Sequence, residues 1–574
     1  MHTTYTYPRY AAGATLEVGA DTVRRVPLVV IGAGPVGLCA AIDGAQQGLP
    51  VLLLDDDDSV SLGSRGLCWA KRTLEIFDRL GVGDAVVAKG VTWNVGRTFR
   101  GDQEVFSFNL LRDPDHRRPG MVNLQQYWVE QLLVERAQQL PGIDLRWKHR
   151  VVHVTPQDDG ARIEVDCPGG RYTVLADWVV VADGARSPVR RQLGLDTQGQ
   201  VFQDRFLIAD VVLSGELFAA DRTERWFWFD PPFHEGQSVL LHREADGVWR
   251  IDFQLGWDAD PEVEKAPERV VPRIRALLDH QGFGHVDFEL EWVSVYTFKC
   301  QRMKRLRHGR LLFVGDAAHQ VSPFGARGAN SGVQDVDNLM WKLARVVHGH
   351  ADGAAAERLL DSYDHERGAA ADENISASTR ATDFISPKSH ASKVLRRAVL
   401  GLAAQVPMAR ALVNSGRLSV PCWTDDSPLS SADADAFDGG LPPGAPADDA
   451  PHGDGWLLAQ LVQPSSLAAA KTVHGTVVSA AGFTLLWFSD GAADSGAAID
   501  ALRSGAGGHS PLPVLQLPTE SIAARRHAAS EGCAVLLRPD QHVAARWHRL
   551  DPATVRDALA RACGHPAAKA GAAA

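Results

Sequence analysis

Glycines at positions 32, 34 and 37, in the stretch VVIGAGPVGL, have the spacing with which a backbone approaches a pyrophosphate. Gly32 allows a tight turn, Gly34 lets backbone N–H groups come up to the anion, and Gly37 lets the following helix pack closely on the strand before it. Asp55 stands 18 residues beyond Gly37, the distance at which a carboxylate reaches the ribose of a bound dinucleotide. Two further acids follow apolar runs in the same manner. Asp183-Gly184 closes ADWVVVADG, with Arg186 and Ser187 after it, and Gly315-Asp316 closes RLLFVGD. Taken alone, the Asp183 turn fits an ordinary strand-to-helix connection as well as it fits a ligand site at a strand's carboxyl end.

The elements that must hold these residues are legible around them. Val26 to Ile31 reads as a buried strand, Leu38 to Gln47 as a helix and Pro50 to Leu54 as a second strand, which is the βαβ unit that a dinucleotide fingerprint requires. A helix is expected to begin near Pro188, a good first-turn residue. Leu311 to Val314 should form a strand, followed by a Pro/Gly loop and a helix from near Asn330 to about Val347. Residues 201 to 300 alternate and turn like an antiparallel sheet, with a turn at Ala245-Asp246-Gly247. Period-two geometry places Trp226 and Trp228 on one face of that sheet and Phe227 and Phe229 on the other.

Composition narrows the classes further. A chain of 574 residues is too long for a single core. Its 45% hydrophobic and 22% charged content is that of a globular protein, and no run approaches the roughly 18 apolar residues of a membrane span. The net charge of −11 is spread along the chain apart from Asp55 to Asp58, which argues against nucleic acid as a partner. Seven scattered cysteines without a CxxC pair, and no apolar signal segment in the first 20 residues, point to a reduced, cytoplasmic protein. No metal-ligand cluster is expected.

The three motifs, in order and about 130 to 150 residues apart, resemble those of the class A flavoprotein aromatic hydroxylases, the p-hydroxybenzoate hydroxylase fold, in the phenol and 3-hydroxyphenylpropionate hydroxylase branch. The resemblance implies an α/β chain: a Rossmann-like FAD-binding domain interleaved with an antiparallel-sheet substrate domain, plus a carboxy-terminal thioredoxin-like domain. The implied boundaries are an N-terminal extension, 1–25; a first FAD-binding part, 26–200, with a substrate-domain insertion near 91–122; a substrate-binding sheet, 201–300; a second FAD-binding part with long helices, 301–424; a linker, 425–455; the thioredoxin-like domain, 456–564; and a disordered tail, 565–574.

Carried onto this sequence, the resemblance gives FAD to Gly32, Gly34, Gly37 and Asp55. It adds Arg65 near the pyrophosphate and ribityl chain, Gln126 as a cofactor contact, Asp183 and Gly184 around FAD and the pyridine nucleotide, and Asp316 on a ribityl hydroxyl. Tyr363, Glu366 and Arg367 match a family signature, and His319 falls at a position that is structural in the family. Pro323, Arg327 and Gly328 would carry the chemistry. Gly325 and Gly328 allow backbone to pass close to the flavin ring, the helix beginning near Asn330 turns its positive end to the ring, and Arg327 adds a full charge that favours the anionic reduced form. The family usually shows two prolines where this chain has Ser322-Pro323.

The implied activity is an FAD monooxygenase of aromatic compound catabolism. It uses NADPH or NADH and O2 and hydroxylates a phenolic aromatic acid through a flavin C4a-hydroperoxide, with a polyketide-type ring as the alternative substrate. Trp226, Trp228, His242, Arg243, Arg250 and Tyr296 are the candidates to line or polarise the substrate site, and a homodimer is left open. An oxidase or a non-catalytic FAD protein is the rival class. The sequence WFWFD also echoes the W-x-W-x-I motif of flavin-dependent halogenases, but Asp230 occupies the isoleucine position.

Overall fold

The computed structural model describes residues 4–13, 15–20, 22–218, 223–413, 418–461, 482–491, 496–505 and 509–566. The expected disordered tail lies outside the described residues from position 567 on.

The fingerprint strand Arg24–Ile31 is apolar on both faces from Val26 on because it is central in its sheet. It runs parallel to Gly170–Val181 on one side and to Val51–Leu54 on the other, with Leu311–Phe313 beyond the former and Ile143–Arg146 beyond the latter. Ile31 is in register with both Val181 and Leu54, and Val181 with Phe313. Four chain segments therefore leave the sheet at one edge, where open α/β sheets bind ligands. They carry Gly32, Asp55, Asp183 and Gly315-Asp316.

Tight packing fixes that edge. Gly32 has φ +101, and a Cβ there would lie 2.5 Å from the carbonyl oxygen of Ala182. Helix Pro35–Gln46 starts at once with proline in its first turn, and helix Gly328–Val347 packs across it. At Gly332 a Cβ would meet Val36 at 2.7 Å and the Gly315 backbone at 3.0 Å.

The second sheet has eight strands in the order His319–Gln320, Phe288–Met303, Thr197–Leu213, Val248–Leu255, Ser238–Arg243, Glu224–Phe229, Val95–Arg100 and Gln103–Asn109. One face packs on helix Pro267–His280 through Val270, Ile274, Leu277 and Leu278, all buried. The other turns to the loop after Asp316, where Phe206, Phe229, Leu240 and Phe298 gather around Phe324 and reach Ile385 and Leu400 of the long helices.

Two further pieces brace this frame. Residues 4–13 form a strap: Tyr5 and Tyr7 pack on Tyr127, Tyr10 stacks on Trp147, and the Gly63 N–H donates to the Tyr7 hydroxyl at 2.9 Å. At the other end a four-stranded mixed sheet, in the order Val514–Leu517, Thr484–Phe488, Ala534–Leu537 and Val543–Trp547, packs its helix Pro552–Ala562 against the start of helix Gly353–Ile385. Among the described residues, no helix is long and apolar enough to cross a membrane.

Candidate active site

The turn carrying Asp316 is held from beneath by a buried network. Asp335 accepts from the Gly315 N–H at 3.0 Å, from His319 at 2.6 Å and from the Arg367 Nε at 2.7 Å, while Tyr363 donates to the Phe313 carbonyl at 2.6 Å. Burial alone would raise the Asp335 carboxyl, but its contacts with His319 and Arg367 hold it below its ordinary range. His319, tied to Asp335, is thus a structural residue. Tyr363 and Arg367 work together: one pins the strand end and the other pins the acid that orients Gly315.

Asp316 itself points into accessible space. Crowding by protein raises its carboxyl, and His319, Arg65 and Arg190 oppose the rise. Arg65 is exposed across the same cleft and lies within electrostatic reach of both Asp316 and Tyr296. Desolvation pushes the Tyr296 hydroxyl up to about 12, so this phenol stays protonated and offers a donor. At the fingerprint end, Asp55 accepts from the backbone N–H groups of Ala33 and Asp57, and Asp183 accepts from that of Val189. The second Asp183 oxygen is buried without a partner. A Cβ at Gly34 or Gly184 would meet nothing within 4 Å, so both edges of the cleft are open to a ligand. An unfilled acceptor, open backbone at two turns and an opposed Arg65–Asp316 pair suit a pyrophosphate linked to a polyol. The residues present therefore fit an FAD.

Several expected contacts take other roles. Gln126 is spent on protein: its Nε2 donates to Glu130 and Ser61, and its Oε1 accepts from the Gly66 N–H at 2.9 Å. It positions the loop of Arg65. Asn330 is likewise filled, accepting from the Ala70 N–H and donating to the Cys68 and Ala326 carbonyls; its amide stitches the Pro323 loop to the strand Cys68–Ala70. The helix begins at Gly328, with Arg327 as its N-cap. Arg327 is buried, with Nη1 folded back on Gly325 and its charge felt at Cys422. Pro323 stays exposed to the cleft.

On the sheet the structure corrects the choice of face. Trp226 and Trp228 belong to the layer against helix Pro267–His280, and Trp228 is 1% exposed; it is Phe227 and Phe229 that turn to Phe324. Arg250 faces the cleft but is committed, bidentate on Asp210 at 2.8 Å, ion-paired with Glu244 at 3.2 Å and donating to the Ser64 carbonyl. It ties the sheet to the loop of Arg65 and is not available to polarise a substrate. Arg243, on the opposite face, pairs with Glu216. His242 is buried on the cleft side, and desolvation keeps it neutral. Arg225 and Asp252 share that face and were not singled out from the sequence. Strand parity with Phe227 is the signal that finds Arg225.

Gly63 sits at the join of strap, loop and sheet, with φ +69 and the Trp292 indole 2.3 Å from where a Cβ would lie. Gly63→Ala should cost about 1–2 kcal/mol of local strain. It should also displace the loop of Arg65 and weaken FAD binding by about tenfold, measured by fluorescence titration of the apoprotein.

A family model described as "FAD binding domain" matches residues 25–378. The chain is 31% identical over 551 residues to the 6-methylpretetramide 4-monooxygenase of Streptomyces rimosus, covering 92% of each chain. It is 29% identical over 388 residues to the 3-(3-hydroxy-phenyl)propionate/3-hydroxycinnamic acid hydroxylase of Mycolicibacterium smegmatis, covering 68% of this chain and 66% of that one. The crystal structure of the flavin-dependent monooxygenase PieE with FAD and substrate superposes with a TM-score of 0.73 at 24% identity, covering 94% of this chain and 99% of that one.

Proposed function

The chain belongs to the FAD binding domain family of flavin-dependent aromatic monooxygenases, and from that premise we propose how its own residues bind the cofactor and choose the ring. It is an FAD enzyme that hydroxylates an aromatic compound. The balanced reaction consumes an arene, O2, a proton and NADPH or NADH, and releases the phenol, water and the oxidised nicotinamide. FAD supplies the electron relay and the activation of oxygen.

The observation that carries the assignment of residues is the convergence of Gly32, Asp55, Asp183 and Asp316 on one sheet edge, opposite the Phe206, Phe227, Phe229 and Phe324 wall. Gly34 and Gly184 receive the pyrophosphate region, Asp55 a ribose, and Arg65 and Asp316 the polyol between them. The Pro323–Asn330 loop would flank the flavin, where the helix N-terminus and Arg327 would favour negative charge. The aromatic wall excludes water, which protects the oxygen-transferring state from wasteful breakdown. Only an electron-rich ring accepts electrophilic oxygen readily, so the substrate is a phenol, and a phenolic acid is our first choice. A larger polyketide ring is the second reading, favoured by the match along 92% of the chain to an enzyme named for such a substrate.

Residues 456–564 are read as a thioredoxin-like module kept for packing, supported by its mixed sheet and by the distance in sequence between its two cysteines, Cys533 and Cys563. All seven cysteines are free thiols, which supports a reducing, cytoplasmic setting.

Arg327→Ala should raise the share of consumed oxygen that is released as peroxide, because the loop loses both a buried prop and a positive charge. Oxygen uptake with and without catalase reads this directly. The assignment as a whole is tested with NADH or NADPH and a panel of phenols and phenolic acids. Substrate-stimulated nicotinamide oxidation with a hydroxylated product supports it, whereas peroxide alone from every compound would mark an oxidase.

A further inference from the structure

On the sheet face that turns to the Pro323 loop, Arg225 forms no ion pair among the described residues, although the Asp252 charge reaches it. Strand register pairs Trp226 with Leu241 and Phe227 with Leu240, which sets Arg225 beside His242 and on the same face as Phe227 and Asp252. Cys68, across the cleft on the strand that Asn330 holds, feels the Arg225 charge most strongly among its charged neighbours. No carboxylate among the described residues is close enough to pair with Arg225, and its Nε is buried with no hydrogen-bond partner. Two strands away, Arg250 shows the satisfied alternative, with Asp210, Glu244 and a backbone carbonyl all in place.

The groups around Arg225 share its condition. His242 Nδ1 and Asp252 Oδ1 are buried without partners, and His242 Nε2 stands 3.9 Å from Asp252. Burial keeps the imidazole neutral, so it adds no second cation, and it raises the Asp252 carboxyl to about 6, which leaves it ionised at neutral pH as a nearby but unpaired negative charge. Arg225 is half-buried with its Nε sealed off; a guanidinium partly withdrawn from water without a partner is costly, and a fold sustains one where a ligand brings the anion. Guanidinium groups take planar oxyanions best, through two parallel N–H donors. Phe227 on the same strand, with Leu240 beside it and Tyr296 farther along the sheet face, supplies the flat apolar surface for the rest of such a ligand.

We propose that Arg225 anchors an ionised oxygen of the aromatic substrate, either a carboxylate or a phenolate or enolate of the ring, and so decides which edge of the ring meets the flavin. The inference rests on the monooxygenase reading for the word substrate. An anchored ring oxygen would in addition be held ionised, which raises the electron density at the carbons ortho and para to it.

The test uses the FAD holoenzyme and follows the change in flavin absorbance on titration with three probes: 3-(3-hydroxyphenyl)propionate, its neutral amide, and 4-nitrophenol, whose anion is coloured. If the anchor takes a carboxylate, the wild type prefers the acid to the amide by about tenfold or more. Arg225→Gln abolishes that preference, and Arg225→Lys keeps part of it. If it takes a ring oxygen, 4-nitrophenol binds as its anion with an apparent pKa lowered by about one, and Arg225→Gln restores the free value. Unchanged FAD content and flavin spectrum in the variants show that the fold is intact. The proposal is overturned if Arg225→Gln binds all three probes as the wild type does, at any affinity. An Arg225-dependent preference in an enzyme that forms no hydroxylated product would instead sink the monooxygenase reading and leave the anchor standing.

Discussion

Glu366→Ala should destabilise the protein by about 3–5 kcal/mol, the cost of leaving a buried ion pair half removed. Glu366 is fully buried and accepts from Lys342 at 2.7 Å, from Asn338, from Ser427, and from both terminal nitrogens of Arg538 at 2.7 and 3.0 Å. Arg538 in turn holds Asp540. These residues come from helix Gly328–Val347, helix Gly353–Ile385, the linker and the carboxy-terminal unit, so the carboxylate is the rivet between that unit and the FAD frame. Removing it strands Arg538 and Lys342 inside the protein. Urea unfolding followed by tryptophan fluorescence should move to lower denaturant, and limited proteolysis should begin to cut within 425–455. A Glu366→Ala variant as stable and as resistant as the wild type would refute the rivet. The cations hold the folded carboxyls of Glu366 and Asp540 below their ordinary values. Depressed carboxyls stabilise the fold fully at neutral pH, and this contribution is lost as pH falls below the unfolded value of about 4.

Asp316→Ala should weaken FAD binding by about 10- to 150-fold, corresponding to a charged hydrogen bond of roughly 1.5–3 kcal/mol. Its turn is fixed by Asp335, Arg367 and Tyr363, none of which the substitution touches, so the loss should appear in cofactor affinity with little change in the fold. The raised carboxyl of Asp316 adds a pH signature. Its ionised form, the stronger acceptor, is lost at a higher pH than for an ordinary aspartate, so wild-type FAD affinity should decline on mild acidification. Asp316→Ala should flatten that decline. Fluorescence titration of apoprotein with FAD across the acid range measures both effects, and equal affinity and pH profile in the variant would remove Asp316 from the site.

Some of this was legible in the sequence because it lies in backbone geometry that residue types encode locally. The φ of +101 at Gly32 and the contact of its missing Cβ with Ala182 demand glycine, and an acid directly after a buried parallel strand is carried to the sheet edge. The substrate face was harder to read for a physical reason. Strand Glu224–Phe229 is aromatic on both sides, Trp226 and Trp228 on one and Phe227 and Phe229 on the other, and alternation gives parity without saying which side is the cleft. Helix Pro267–His280, some 40 residues later, decides it by covering the tryptophans. The hydrogen bonds of Gln126 and Asn330 could not be read from the sequence, because their partners include Gly66 and Ala70, 60 and 260 residues away. Glu366 was visible as part of a signature, but its partner Arg538 lies 172 residues on.

As an aromatic hydroxylase, this chain passes one atom of dioxygen to an aromatic ring. A reaction of the FAD holoenzyme with NADPH or NADH and a bound phenolic acid under isotope-labelled dioxygen, with the product analysed by mass spectrometry, tests it most directly. The expected product is a hydroxylated ring carrying one labelled oxygen, formed in proportion to the nicotinamide consumed. Labelled peroxide accumulating beside unaltered substrate, or a product whose new oxygen comes from water, would contradict it.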